Sequence, residues 1–196
     1  MKNKIKFMFA ILCGVMIATT FMACGGDDDD NGRGNGGGNG GGNGTSSIKF
    51  NGNSYSMNFG YYDCRNSTLY LEFSNVDMYN QQAMMSSKPS RILNMTLNIY
   101  QYSNTVVAPG TYKAYMEFWN MSYNWNTQES TYNDDLSARD VEVTITHSGN
   151  NYTITIPETT VNVHRSNVDG DDSVIGTTAF SFSYSGQLTH RSVEDK

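Results

Sequence analysis

The sequence predicts an all-β domain, an antiparallel β-sandwich or flattened barrel of about nine strands by strand-pattern rules. Three observations predict it. Beyond Ser46, apolar and polar residues alternate with a period of two, as strands with one wet face require. Turn-forming pairs punctuate the alternation, among them Asn51-Gly52, Pro109-Gly110 and Ser148-Gly149. No segment keeps helical spacing over three turns, although Val76 to Ser87 has room for a short helix or loop.

The elements follow in order. Ile48 to Phe50 reads as a short strand joined by the Asn51-Gly52 turn to a second. On that second strand Tyr55, Met57, Phe59 and Tyr61 share a face opposite Ser54, Ser56 and Asn58. Leu69, Leu71 and Phe73 alternate with Thr68, Tyr70 and Glu72, and Leu93, Met95, Leu97 and Ile99 with Asn94, Thr96 and Asn98. Ala114, Met116 and Phe118 follow the Pro109-Gly110 turn. The clearest hairpin sets Val141, Val143 and Ile145 against Tyr152, Ile154 and Ile156 across Ser148 to Asn151. Val161 and Val163 suggest a further short strand, and Phe180, Phe182 and Tyr184 close the series. The β domain spans 47–190 and 191–196 is a tail.

The stretch before the domain has another character. Eleven of the 19 glycines fall between Gly25 and Gly44, clustered and without the three-residue period of collagen. Residues 31–46 are almost all Gly and Asn, with Arg33 as their one charge, and cannot bury enough apolar area to order themselves. As a flexible coil, Gly25 to Ser46 spans about 25 Å end to end. At the front, Lys2, Lys4 and Lys6 precede an apolar run from Phe7 to Phe21, too short for a membrane-spanning helix but suited to a cleavable export signal over 1–23.

Phe21-Met22-Ala23-Cys24 resembles the bacterial lipobox. That resemblance implies cleavage before Cys24, which would carry the lipid and attach the chain to a membrane. The run Asp27, Asp28, Asp29 and Asp30 resembles the surface-export signal of Bacteroidota lipoproteins, which implies an outer-membrane protein facing the cell exterior. Ala108-Pro109-Gly110-Thr111-Tyr112 and Phe182 to Leu188 resemble pieces of small Bacteroidota lipoprotein domains of the β-sandwich or lipocalin-like sort. Asp172-Ser173-Val174 resembles an O-glycosylation acceptor of the same bacteria, with Ser173 as the attachment point.

Catalytic motifs are missing. With Cys13 in the signal and Cys24 lipidated, Cys64 stands alone, next to an Asp63 whose charge disfavours the thiolate. His147, His164 and His190 lack zinc-ligand spacing, so no metal or other cofactor is expected. Asn167 to Ser173 fails the calcium-loop pattern and reads as a turn. Asp134-Asp135 and Asp171-Asp172 are adjacent carboxylates of the kind usually solvated, though a glycosidase could draw its pair from separate strands. Removing Lys2, Lys4 and Lys6 takes the net charge from −6 to −9, which disfavours nucleic acid.

Aromatic residues are the functional lead. All 13 Tyr and both Trp lie in the domain, and Tyr115, Trp119, Tyr123 and Trp125 crowd one segment. If Phe118 faces the core, Trp119 faces out, where an aromatic plane suits a sugar's C–H face and Asn120, Asn124 and Asn126 suit its hydroxyls. The competing expectation is that Trp119 and Trp125 cover a second small core or a loop. The chain is thus expected to be a binding or adhesion module, not an enzyme, with an extracellular glycan or surface protein as ligand. Two alternatives stand: a lipocalin-like carrier of a small apolar ligand, and a glycan-active hydrolase with dispersed carboxylates.

Overall fold

A computed structural model describes residues 44–165 and 173–191, apart from the side chain of Arg165. The alternating segments form ten strands of one sheet, β1 (Gly44–Phe50), β2 (Asn53–Tyr55), β3 (Phe59–Arg65), β4 (Thr68–Ser74), β5 (Arg91–Tyr100), β6 (Gly110–Asn124), β7 (Glu129–Ser148), β8 (Asn151–Arg165), β9 (Ser173–Gly186) and β10 (Thr189–His190). The helix α1 (Gln81–Ser87) interrupts them between β4 and β5. Strands β3 to β9 are successive antiparallel neighbours, β1 adds to β9, and the short β10 and β2 form the outer edges. The all-β, antiparallel architecture is therefore the expected one, with β10 running parallel to β3.

The sheet rolls until its ends meet without a ladder between them. The Gly44 N–H donates to the Asn58 carbonyl at 3.2 Å, and the Met57 N–H to Ser46 Oγ at 2.7 Å. Tyr184 lies beneath this seam. A Cβ on Gly44 would collide with its ring, and one on Gly60 would fall 2.7 Å from it, so both positions need glycine for close approach. The result is a flattened barrel with its seam held by a few polar contacts.

Its interior is filled. Phe73, Phe118, Phe180 and Tyr184 are almost wholly buried, and each of these rings packs against another. Leu71, Leu97, Met116, Val143, Ile154 and Ile48 complete the same core. Burying each large apolar side chain is worth about 1.5–3 kcal/mol.

Several boundaries differ from the sequence expectation. β1 begins at Gly44, so Gly44 to Ser46 leave the tether and pair with Gly186 to Tyr184. Tyr55, Met57, Phe59 and Tyr61 do not share a strand face. The chain leaves the ladder between β2 and β3 as it crosses the seam, so Met57 enters the core while Tyr61 packs outside against Tyr79. Val161 and Val163 belong to β8, which continues past Pro157 through a register shift between Ile156 and Thr159. The Asn51-Gly52 turn is as expected, with both residues at positive φ (49° and 71°).

Candidate functional site

Strand β6 has two useful faces. Ala114, Met116 and Phe118 point into the barrel, while Trp119, Met121 and Tyr123 lie on the other face. There a second apolar cluster forms from Met84, Ile92, Met121 and Tyr123, with Val76, Met78, Trp119, Trp125 and Tyr132 packed around it. The helix α1 supplies Met84 as its lid. Asn80 caps that helix by accepting the Ala83 N–H at 3.0 Å, and the Lys88 N–H returns to the Met84 carbonyl at 2.9 Å.

A bulge completes the arrangement. Asn120 pairs with Asp134 and Met121 with Tyr132, so Asn133 is the extra residue on β7. Tyr132 and Asp134, two apart, would share a face in a regular strand. The bulge sends Tyr132 into the outer cluster, edge-on to Trp119 at 6.2 Å, and leaves Asp134 to accept a 2.7 Å hydrogen bond from the Asn120 amide. Asn120 is almost fully buried, and its Oδ1 has no hydrogen-bond partner among the described residues.

The four aromatic residues singled out by sequence therefore divide. Tyr123 and Trp125 meet edge to face at 4.9 Å, and Trp119 joins their cluster. Tyr115 stays apart, hydrogen-bonded to Glu117 at 2.8 Å with the Arg139 guanidinium 5.8 Å over its ring. Trp119 does turn away from the main core and covers a second small one, where it is half-buried.

Beside this cluster an open depression of about 810 Å³ runs along the β6–β7 hairpin tip. Tyr123 and Trp125 line it together with Ser90, Arg91, Asn124 and Asn126. The Trp125 indole N–H donates to the Pro89 carbonyl at 3.0 Å, which fixes the ring without occupying its face. Arg91 was invisible to the sequence reading. It reaches the depression because β5 sets it opposite Ser122 on β6, a register that no local pattern announces.

One carboxylate, Glu129, also lines the depression, and others are engaged elsewhere. Glu72 and Asp63 line a smaller pocket of about 100 Å³ on the outer face of β3 to β5. Glu72 accepts hydrogen bonds from the Asn94 amide at 2.7 Å, the Tyr79 hydroxyl and Arg191, and Asp63 lies 3.3 Å from the Arg65 guanidinium. Tyr61 donates to Asp77 at 2.7 Å; burial first, then this bond, holds its hydroxyl protonated well above the usual range. Burial, and after it Asp63, pushes the half-buried Cys64 thiol up, as the sequence suggested. Among the described residues, no cluster of three or more His, Cys, Asp and Glu could hold a metal.

Ser173 opens β9 half-buried, next to the exposed Val174 and Ile175. Cys24, Asp27 to Asp30 and residues 166–172 lie outside the described residues. Comparison with protein-family models, curated proteins and solved structures finds no match for the chain.

Proposed function

We propose that the chain is a lipid-anchored cell-surface module that binds an extracellular glycan in the depression beside Trp125. In this reading Cys24 carries the lipid, Asp27 to Asp30 direct export to the outer face of the outer membrane, and the Gly/Asn tether holds the domain at reach. The observation that carries the glycan reading is the fixed Trp125 ring in an open, polar depression. A pre-set aromatic plane loses little freedom when a sugar ring stacks on it, and Asn124, Asn126 and Ser90 can bond hydroxyls around it. The packed interior favours this surface site over a carrier's cavity. The engagement of Asp63 and Glu72 by guanidinium groups favours binding over hydrolysis.

The test is a polysaccharide and glycan array probed with the lipidated protein in detergent. Wild type is expected to retain at least one glycan class, and Trp125→Ala to lose it by about tenfold or more, the factor for 1.4 kcal/mol. Absence of any glycan signal from wild type overturns the reading. The anchor is tested separately. Cys24→Ser is expected to release the protein from membranes, and replacing Asp27 to Asp30 by Ala to abolish antibody labelling of intact cells while lipidation persists.

A further inference from the structure

We infer that the depression selects an acidic sugar, a uronate or similar carboxylate-bearing residue, and that Arg91 reads the carboxylate. The inference rests on the glycan reading above and adds the class of ligand. It starts from how the arginines are used. Arg65 is paired with Asp63 at 3.3 Å and Arg191 with Glu72 at 3.4 Å. Arg91 lines the depression with no ion pair or side-chain hydrogen bond among the described residues; its guanidinium lies 5.6 Å from the Tyr55 ring centroid. Arg139 likewise lies over a ring, that of Tyr115, but Arg91 is the arginine that lines the depression.

The cation is also held ready. Asn75 donates to the Arg91 carbonyl at 3.1 Å and accepts the Leu93 N–H at 2.7 Å, clamping the strand on both sides of Arg91. Tyr55, beneath the guanidinium, is itself stacked on Phe50 at 5.1 Å. A guanidinium held at cation–π distance from a ring keeps its N–H donors available for a planar, bidentate acceptor. The stacking platform is tied to the same segment: the Trp125 indole bonds the carbonyl of Pro89, two residues before Arg91. One stretch of chain thus fixes both an aromatic plane and a carboxylate reader. Glu129, which also lines the depression, already has an interaction within the chain. Because the net charge is negative, −6 for the full chain and −9 without Lys2, Lys4 and Lys6, attraction for a polyanion must come from this local site and not from the overall field.

The experiment measures binding of the lipidated protein to polygalacturonate, to the same polymer with its carboxyl groups reduced to alcohols, and to a neutral galactan. Wild type is expected to prefer polygalacturonate by about tenfold or more over the reduced polymer, with the preference shrinking at high salt. Arg91→Ala is expected to remove that preference, and Arg91→Lys to restore part of it, since a point charge lacks the fork geometry. Trp125→Ala is expected to weaken both acidic and neutral polymers. Equal binding of the reduced and unreduced polymers by wild type, or an unchanged preference in Arg91→Ala, overturns the acidic-sugar inference while glycan binding stands. No binding to any of the three polymers or to the array overturns both. A melting curve for each variant checks its fold, and the reduced polymer tests the inference on wild type alone.

Discussion

Strand β6 feeds two apolar clusters that differ in kind. Its inward residues, Ala114, Met116 and Phe118, join a core built from distant strands, including β1 and β9. Its outward residues, Met121 and Tyr123, join a smaller cluster assembled from neighbouring strands, a seven-residue helix and the 76–78 connection. The inner cluster makes the barrel. The outer one adds nothing to barrel closure, yet it carries both tryptophans and borders the depression. The same alternation therefore serves the fold on one side and, in the proposed reading, a ligand platform on the other.

The comparison breaks first, if it breaks, at Phe118. This side chain is fully buried, against Phe50 at 5.1 Å and Phe180 at 6.2 Å. Phe118→Ala is expected to cost about 3–5 kcal/mol, the range for a cavity left by a core aromatic. Far-UV circular dichroism and tryptophan fluorescence should lose stability together in urea, because the outer cluster has no support without the sheet. A loss confined to fluorescence would mean that the inner cluster is not what holds the barrel.

A second effect sharpens the contrast through pH. Burial pushes the Tyr184 hydroxyl up to about 12, and Tyr61 and Tyr79 on the outer face are raised as well, chiefly by burial. The unfolded chain releases these protons near pH 10 while the folded chain keeps them, so stability is full below pH 10 and falls as pH rises. By pH 12 the loss from Tyr184 alone is on the order of 2 kcal/mol. Tyr184→Phe is expected to flatten part of the slope between pH 10 and 12. A slope unchanged in that variant would place the alkaline sensitivity in the outer tyrosines.

How much of this was legible in the sequence follows from where parity is kept. On β4, β5 and the first part of β6 alternation runs unbroken, and the inward residues are those the pattern picks. Parity fails where the chain leaves its ladder. The crossing before β3 reverses Tyr61, the extra residue Asn133 separates Tyr132 from Asp134, and Asp140 at φ 57° lets Ala138 and Val141, three apart, both face inward. None of these has a local signature, since each answers to a neighbouring strand. The aromatic half of the candidate site was visible as composition. Arg91 was not, because only cross-strand register sets it opposite Ser122, at the depression that Trp125 also lines.

The smallest expected effect gives the finest test of the two-cluster picture. Helix α1 is about two turns long, too short to stand alone, and its side-chain N-cap is one hydrogen bond, which the Ala83 N–H donates to Asn80. Asn80→Ala is expected to cost about 1 kcal/mol, felt where α1 covers the outer cluster. The chain has two tryptophans, Trp119 and Trp125, and both sit in that cluster, so fluorescence excited selectively at tryptophan reports on the outer side. Far-UV dichroism follows the strands. If the clusters are separate units of stability, the fluorescence midpoint in urea falls in Asn80→Ala while the dichroism midpoint holds. If both midpoints fall together, the outer cluster belongs to the barrel's own cooperative unit. Its rigidity would then be inherited from the core, and Trp125 would owe its fixed plane to the fold as a whole and not to α1.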